Sequence, residues 1–380
     1  MMKLMTTFYR HFVKPMLFQS DPEIAHDWTL TILHTLSQNA HLLAALETFY
    51  QASPLPVQVE GLHFPNPVGL AAGMDKNAKA LPAWPSLGFG FVELGGVTYH
   101  AQPGNPKPRM FRLPSDLGVI NRMGFNNNGA LATIQQLEEW KKTGGWPKVP
   151  VALNLGKSKI TPLESAPEEY AKLIRCLWRL ADFFIVNVSS PNTPELRKLQ
   201  DAQAIDSVLS AIDEEVIACR AAHPSLPARP IWVKVDPDLS NPELDALMEA
   251  RERQQVQGIV ATNTTTWRPQ NHSDSTYSQT GGLSGAPLRE RSSEVIRRIH
   301  QRSQGKLKII GVGGIMNARD AWEKIGAGAC LLQVYSGLVF KGPTLVKELV
   351  AGLFDQVGYH GLKSLDQAVG KGLPFLAEES

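Results

Sequence analysis

The sequence predicts an α/β protein built as a closed (β/α)8 TIM barrel, with a small helical, membrane-associating segment at the N-terminus. From residue 57 onward, eight short apolar runs alternate with seven stretches of helical periodicity. Eight strands alternating with helices over about 300 residues is the count of such a barrel. A doubly wound open sheet is the alternative, because one miscounted strand would change the architecture.

The predicted strands are continuous apolar runs, as expected for parallel strands that are buried on both faces. They cover residues 68–70, 89–94, 149–155, 183–188, 231–235, 258–261, 307–312 and 329–334. Helical patterns lie between them, near 76–87, 127–142, 165–181, 201–222, 241–255, 287–303 and 317–326. This strict alternation favours parallel strands joined by helices.

Two segments flank the barrel. We expect residues 1–52 to form the helical segment, 53–360 the barrel, and 361–380 a tail that could be disordered. Within 1–20, apolar residues recur with helical spacing beside three basic residues and no acid. That pattern is typical of a helix in a membrane interface, although a helix packed on its own domain has the same periodicity. Asp21-Pro22 begins a second helical pattern, and a weaker third one covers 39–50.

Composition argues against several classes of protein. The net charge of +2 provides no overall field for binding nucleic acid. Cys176, Cys219 and Cys330 lie far apart, which fits buried thiols in a reducing compartment better than disulfides or a metal site. No cluster of His or carboxylate residues indicates a metal. No run of 18 uncharged apolar residues predicts a membrane span, and the N-terminus lacks a signal-peptide pattern.

Polar residues or glycines follow every predicted strand on the same side. The clearest case is 182–194, where an apolar run breaks into Asn187, Ser189, Ser190 and Asn192. Barrel enzymes place their active sites at the carboxyl ends of the strands. A buried strand followed by a Pro-containing turn is the simpler interpretation of this stretch alone. The agreement among all eight strand ends favours one site fed by all eight loops.

Three glycine-rich segments predict a phosphate site, for either a substrate or a cofactor. They are 281–285, 311–315 and 335–337, in the loops where barrels commonly hold phosphate on backbone N–H groups. Lys76 and Lys234 also end strands, and a cation there would favour negative charge on a bound ring, although most lysines are solvated. Six asparagines could bond a planar heterocycle, namely Asn121, Asn126, Asn154, Asn187, Asn192 and Asn263.

Seven motifs in the order found along the chain resemble those of the class 2, quinone-linked dihydroorotate dehydrogenases. They are NPVGLAAGMDK at 66–76, PGNPKPRMFRL at 103–113, INRMGFNN at 120–127, NVSSPNT at 187–193, ATNTT at 261–265, TGGLSG at 280–285 and IGVGGI at 310–315. The resemblance covers nearly all of residues 10–350. It implies oxidation of dihydroorotate to orotate in pyrimidine synthesis, with one FMN per chain and a membrane quinone as the final electron acceptor.

The resemblance also implies the residues of the site. Those expected at FMN are Ala72, Gly73, Met74, Asp75, Lys76, Gly96, Asn154, Asn187, Lys234, Thr262, Gly285, Gly314, Tyr335 and Ser336. Those expected at the substrate are Lys76, Asn121, Arg122, Met123, Gly124, Phe125, Asn187, Asn192, Asn263 and Thr264. Ser190 matches the catalytic base, and His26, Arg112 and Tyr335 match the quinone end. Because serine is a poor base, we expect it to pass the proton to a water or hydroxyl.

A serine at 190 and the N-terminal segment distinguish this class from soluble relatives that use cysteine and pass electrons to fumarate or NAD. A non-catalytic phosphate-binding barrel on a membrane is the more distant alternative. We expect a monomer bound peripherally to the cytoplasmic face of a bacterial inner membrane. Three positions depart from the pattern: Gly96 where Thr or Ser is usual, Asp236 where Ala is usual, and Glu195 where Gly is usual. Asp236 could weaken the effect of Lys234 unless it faces away from the ring.

Overall fold

Eight parallel strands close on themselves in the computed structural model of the protein, which describes residues 6–193, 196–254, 256–270 and 274–376. The strands are β1 (Val57–Val59), β2 (Leu62–Phe64), β3 (Val68–Leu70), β4 (Phe91–Val97), β5 (Met110–Leu113), β6 (Gly118–Asn121), β7 (Val151–Leu155), β8 (Phe183–Asn187), β9 (Ile231–Val235), β10 (Gly258–Ala261), β11 (Gly282–Gly285), β12 (Lys308–Val312) and β13 (Leu331–Val334). The barrel order is β3-β4-β7-β8-β9-β10-β12-β13, and β13 pairs with β3 to close it. The closed barrel is therefore confirmed over the open sheet.

Three helices precede the barrel, and the others follow barrel strands. They are α1 (Lys14–Gln19), α2 (Pro22–Ser37), α3 (Ala40–Tyr50), α4 (Ala83–Ser86), α5 (Gly129–Lys142), α6 (Ala166–Leu177), α7 (Ala202–Ala222), α8 (Asn241–Arg253), α9 (Arg289–Arg302), α10 (Ala318–Ala327), α11 (Ser336–Lys341) and α12 (Leu345–Tyr359). A π-helical turn, Tyr9–Val13, precedes α1. The barrel strands are almost entirely buried because helices cover their outer side and side chains fill the interior.

Aromatic rings fill the amino-terminal end of the barrel. Phe64, on the hairpin formed by β1 and β2, packs edge-on against Phe91 with ring centroids 5.4 Å apart. Phe183 packs against both rings and against Trp232. This closed, apolar floor leaves the opposite end of the barrel as the place where polar side chains can meet.

One predicted helix is much shorter than expected. Residues 76–87 form turns before the four-residue α4. The Asp75 carboxylate accepts hydrogen bonds from the backbone N–H groups of Lys79 and Ala80 and from Trp84 Nε1. An internal carboxylate that binds several local donors stabilises a loop in place of the helical ladder.

A three-stranded antiparallel sheet lies beside the barrel mouth and was not predicted from the sequence. β6 pairs with both β5 and β11, so a loop after the second barrel strand is joined to a loop after the sixth. Its small core consists of Leu113, Ile120, Tyr277 and Leu283. This sheet brings the 121–125 loop and the glycine-rich 281–285 segment together.

The N-terminal helices lie against the barrel mouth. Asp21 and Asn39 cap α2 and α3 by accepting hydrogen bonds from N–H groups of their first turns. A buried bidentate ion pair joins Glu23 of α2 to Arg109, with N–O distances of 3.1 and 2.7 Å. The Tyr9 hydroxyl donates to the Val339 carbonyl at 2.8 Å. Within the described part of the chain, no helix has the length and apolarity needed to cross a bilayer.

The segment from residue 361, for which the sequence predicts a tail, packs on the outside of the barrel as far as Leu376. Trp322 Nε1 donates to the Leu373 carbonyl at 2.8 Å. The side-chain amide of Gln356 donates to the Leu376 carbonyl and accepts from its N–H. Residues 377–380 lie outside the described residues.

Candidate active site

A polar cavity of about 160 Å³ opens at the carboxyl ends of the barrel strands. Nineteen of the residues predicted for the site line it: Ala72, Gly73, Lys76, Gly96, Asn121, Met123, Gly124, Phe125, Asn187, Ser190, Asn192, Lys234, Thr262, Asn263, Thr264, Gly285, Gly314, Tyr335 and Ser336. Four predicted residues lie elsewhere. Asp75 braces its turn, Met74 lines a second cavity, and Asn154 is buried beneath the first. The Arg122 side chain points away, donating to Gln279 and to the Pro108 carbonyl.

Side-chain amides form a continuous hydrogen-bond chain across one side of the polar cavity. Asn154 Oδ1 accepts from Asn187 Nδ2 at 3.1 Å. Asn187 Oδ1 in turn accepts from Ser189 Oγ at 3.0 Å and from Asn263 Nδ2 at 3.3 Å. These groups come from β7, β8 and the loops after β8 and β10, so the barrel register sets their spacing. The chain gives the cavity a fixed pattern of donors and acceptors that suits a planar heterocycle.

Glu93 and Gln333 also belong to this site, and neither follows a predicted strand or lies in one of the seven motifs. Both are almost fully buried, and both interrupt apolar strands. Glu93 Oε2 accepts from Gln333 Nε2 at 2.5 Å, and Glu93 Oε1 lies 3.7 Å from Lys234 Nζ. A charged or amide side chain in the middle of a buried strand is uncommon unless it is paired. A polar residue inside an apolar run was therefore the sequence signal that could have identified Glu93 and Gln333.

Ser190 is buried, and its Oγ accepts from the Asn192 N–H at 3.3 Å. Across the residues that the structure describes, no hydrogen bond joins this hydroxyl to a titratable side chain. The neighbouring Thr264 has a buried hydroxyl without a hydrogen-bond partner there. A proton taken up at Ser190 would therefore have to continue to a hydroxyl or a water.

Lys76 is nearly inaccessible to solvent, and the structure places no carboxylate in contact with its ammonium group within the described chain. Burial lowers the pKa of Lys76 to about 8, while Glu23 opposes the shift and Arg109 adds to it. A partly desolvated ammonium group without a bound partner is suited to an anionic ligand. The position of Lys76 at the cavity wall makes a carboxylate the simplest such ligand.

The loop that includes Phe125 is held against the cavity by asparagines. Asn105 Nδ2 donates to the backbone carbonyls of Arg122 and Asn192 at 3.0 and 2.9 Å. Asn192 Nδ2 donates to Asn121 Oδ1 at 3.2 Å, which ties the loop to the segment after β8. The expected substrate residues on these two segments are therefore mechanically joined.

A side chain at Gly96 would be crowded in this structure. A Cβ atom at this position would lie 2.6 Å from the Phe125 ring, far inside van der Waals contact. A Thr or Ser here would require that ring to move. The phenylalanine occupies the space that a side chain at 96 would fill.

The glycine-rich segments meet at one corner of the cavity. Gly285 and Gly314 have φ angles of 91° and 77°, which favour glycine. A Cβ on Gly314 would lie 2.5 Å from Arg289 Cα, so the two loops touch there. Asp320 supports the corner by accepting from the Met316 N–H at 2.9 Å and pairing with Arg289 at 3.1 Å. Apart from Lys76 and Lys234, no cationic side chain of the described residues lines the cavity. An anion at this corner would therefore depend on backbone N–H groups and hydroxyls.

Asp236 pairs with Arg197, whereas Lys234 lies beside Glu93. Arg197 also lies 3.4 Å from Asp238. Burial raises the pKa of Asp236 to about 7, against the lowering effect of Arg197. Asp236 thus anchors the segment that follows Ser190. Because its ion pair is with Arg197, the structure gives no contact among the described residues through which it would weaken the effect of Lys234. Glu195, the third departure, lies outside the described residues.

A second cavity of about 740 Å³ lies between the N-terminal helices and the barrel and is lined mainly by apolar side chains. His26 and Arg112 provide its polar atoms near the barrel. His26 shares a hydrogen bond with the Met74 carbonyl at 2.7 Å, and Arg112 donates to the Ser20 carbonyl at 2.9 Å. Tyr335 lines both cavities, and burial raises the pKa of its hydroxyl to about 12, so it remains protonated. All three residues predicted for the quinone end therefore lie in one apolar chamber beside the polar site.

The described residues contain no cluster of His, Cys, Asp or Glu that could hold a metal ion. The three cysteines are unpaired thiols. Burial raises the pKa of Cys176, Cys219 and Cys330 to about 11 each, so none is a reactive thiolate at neutral pH.

Comparison with known proteins agrees with the motifs. Residues 54–357 match the family model described as dihydroorotate dehydrogenase. A protein of Nostoc punctiforme, named dihydroorotate dehydrogenase (quinone), is 45% identical over 378 residues, covering 95% of this chain and 97% of that protein. A Synechococcus protein of the same name is 47% identical, covering 91% and 93%. The crystal structure of the Eimeria tenella enzyme in complex with ferulenol superposes with a TM-score of 0.83 at 32% identity, covering 92% and 95% of the two chains. The chain therefore belongs to the dihydroorotate dehydrogenase family of oxidoreductases.

Proposed function

We propose that the protein oxidises dihydroorotate to orotate in pyrimidine (UMP) synthesis, with FMN in the polar cavity and a membrane quinone as the final electron acceptor. The observation that supports this proposal most directly is that the two cavities share one wall. Tyr335 lines both the polar site, which contains Lys76 and Ser190, and the apolar chamber beneath the N-terminal helices. The names of the relatives support the same pair of substrates.

The residues of the polar cavity fit FMN. Thr262 Oγ1 and Gln333 Oε1 are buried polar atoms that have no hydrogen-bond partner within the described chain, so a bound molecule would satisfy them. Gly285, Gly314 and Ser336 would hold the phosphate at the glycine-rich corner. Asn187 and Lys234 would hold the ring. When bound, FMN supplies a hydride acceptor and a route for electrons to a quinone.

The chain's own side chains would orient the substrate and accept its proton. The amides of Asn121, Asn192 and Asn263 would bond the planar substrate, while the Lys76 ammonium group pairs with its negative charge. Ser190 would take the proton from C5 of dihydroorotate as the hydride leaves C6. The burial of Ser190 excludes bulk water from that transfer.

The N-terminal helices would admit the quinone from a membrane. Large apolar side chains are exposed on their outer face, including Phe12, Ile24 and Trp28. Because these helices also form walls of the apolar chamber, a quinone could enter without crossing water. We propose peripheral binding to the cytoplasmic face of a bacterial inner membrane by a monomer.

The test is anaerobic mixing of the purified protein with dihydroorotate, followed by reoxidation. We expect a yellow protein that bleaches on mixing and recovers its colour with a short-chain quinone, but not with fumarate or NAD. A colourless protein, or a flavin that fails to bleach, would rule out dihydroorotate oxidation. Reoxidation by NAD or fumarate in place of quinone would assign the chain to the soluble type of enzyme.

A further inference from the structure

Glu93 is completely buried, and its carboxylate lies against Gln333 and Lys234, two residues that line the polar cavity. Its partners are all donors. Asn154 Nδ2 and Gln333 Nε2 each donate at 2.5 Å, and Lys234 Nζ lies 3.7 Å away. Each carboxylate oxygen of Glu93 therefore accepts a hydrogen bond from a different side-chain amide.

The amides around Glu93 are oriented to present donors to its two oxygens. Asn154 must turn its NH₂ group to Glu93, which leaves Oδ1 for Asn187 Nδ2 at 3.1 Å. Asn187 must then present Oδ1 to Ser189 and Asn263. The carboxylate of Glu93, at one end of this series of hydrogen bonds, thus determines which amide atoms donate and which accept.

The same constraint acts on Gln333. Its NH₂ group is committed to Glu93, so Oε1 is left without a donor although it is buried, and the residue lines the cavity. A buried acceptor without a partner is costly unless a ligand satisfies it. The matching ligand group is an N–H on the edge of a planar ring.

We propose that Glu93 is a positioning residue that sets the hydrogen-bond polarity of the flavin pocket and offsets part of the positive charge of Lys234. This inference rests on the proposed binding of FMN. A glutamine at 93 would keep one acceptor oxygen and bring its NH₂ group against the NH₂ group of either Asn154 or Gln333. One of the two amides would have to turn around, and Gln333 is the freer one because its Oε1 has no other partner.

The test is Glu93→Gln, measured on the flavin-loaded protein. Removing the anion beside Lys234 favours a reduced flavin that carries negative charge. We therefore expect the ratio of reduced to oxidised flavin at a fixed potential to rise about tenfold, equivalent to about 30 mV for a two-electron couple. We also expect FMN to bind about tenfold more weakly, because turning Gln333 removes an acceptor for the ring. Both are measured without substrate, by dye-coupled titration and by flavin fluorescence.

Glu169→Gln is the matched control. Glu169 is another buried carboxylate, but it binds Ser158 and the Tyr99 N–H and has no contact with Lys234. We expect it to leave the flavin potential unchanged. If Glu93→Gln binds flavin with the potential and affinity of the wild type, the inference is wrong.

If Glu93→Gln does not fold, Gln333→Met decides the question. It preserves the length of the side chain and removes the acceptor, so we expect weaker FMN binding by about tenfold. Unchanged FMN affinity in this variant would overturn the role of the oriented amide. A wild-type protein that contains no flavin would instead refute the proposed function, so the two failures are distinguishable.

Discussion

For the proton transfer proposed at Ser190, the surroundings of the hydroxyl matter more than its own acidity. The hydroxyl is buried and accepts from the Asn192 N–H, which would stabilise negative charge on Oγ. Asn192 is fixed in turn by its hydrogen bond to Asn121. The structure thus supplies orientation and a dry environment, while the eventual proton acceptor must be a hydroxyl or a water.

We expect Ser190→Ala to keep FMN and to lose turnover by about 10²- to 10⁴-fold, the usual contribution of a positioned general base. The measurement is the rate of flavin bleaching by dihydroorotate in a stopped-flow instrument. Equilibrium FMN affinity serves as the control, because the change removes a single hydroxyl. Bleaching within a factor of three of the wild-type rate would remove Ser190 from this role.

Lys76 predicts a pH dependence of ligand binding. Burial lowers the pKa of this ammonium group to about 8, so it is charged below that pH and neutral above it. Affinity for the orotate anion should therefore be constant below about pH 7.5 and fall roughly tenfold per unit well above pH 8. Flavin absorbance titrations with orotate between pH 6 and 10 would show it.

Lys76→Met is the control for that titration. It has similar bulk and no charge, so its orotate affinity should be weak and should not change across the same range. A wild-type affinity that stays level to pH 10 would show that the charge on Lys76 does not bind the ligand.

At the scale of single elements, α2 connects the two cavities. Its Glu23 forms the buried ion pair with Arg109, and its His26 shares a hydrogen bond with the Met74 carbonyl next to the polar site. Arg109 also donates to the carbonyls of Pro103 and Asn105. One charged pair therefore holds both α2, which covers the apolar chamber, and the loop that contacts the proposed substrate residues.

We expect Glu23→Gln to affect the packing of α2 and quinone turnover more than the oxidation of dihydroorotate. Leaving Arg109 without its buried partner costs about 3–5 kcal/mol, which we expect to loosen α2 and to reduce quinone turnover by about tenfold. Flavin bleaching by dihydroorotate should change less than threefold at about pH 6.5, where Lys76 remains charged. The ratio of the two rates is the diagnostic measurement.

Lys107→Ala provides the comparison for the ion pair. Lys107 also lies 3.4 Å from Glu23, but its side chain is 63% exposed. Exposed pairs contribute about 0–1 kcal/mol, so we expect near-normal quinone turnover. Equal losses in the two variants would mean that charge near Glu23, and not the buried pair, controls the helix.

For the molecule as a whole, most of the barrel could be predicted because its strands are mainly apolar runs separated by helical patterns. β3, β9 and β10 begin and end at the predicted residues. The sheet formed by β5, β6 and β11 could not be predicted, because its pairing is fixed by contacts between distant loops. The 76–87 helix failed because Asp75 binds local N–H groups, which periodicity does not register.

Some residues of the candidate site could likewise be predicted from the sequence, and others could not. Ser190, Asn187 and Lys234 could be proposed from the sequence because they lie where apolar runs end. Glu93 and Gln333 escaped notice because they lie inside such runs, and their meaning depends on which strands face each other across the barrel. Strand ends can be found from sequence alone, whereas cross-barrel partners require the closed structure.

The distribution of apolar surface predicts how the whole molecule meets a membrane. Phe12, Ile24 and Trp28 have side chains that are 66%, 46% and 51% exposed, and none of them lines the apolar chamber. Ile24 and Trp28 are four residues apart on α2 and share one face. Arg10 and Lys14 lie in the same N-terminal region and would favour anionic lipid.

We expect replacement of Phe12, Ile24 and Trp28 by serine to weaken binding to vesicles of anionic phospholipid by roughly 10- to 100-fold. Full burial of each side chain would contribute about 1.5–3 kcal/mol, and partial immersion a fraction of that. Replacement of Leu131 and Ile160, which are 69% and 73% exposed on the barrel, is the matched control and should leave vesicle binding unchanged. Turnover with a short, water-soluble quinone should stay near normal in both variants because the chamber wall is intact. Equal vesicle binding by the triple variant and the wild type would place the membrane contact on another surface.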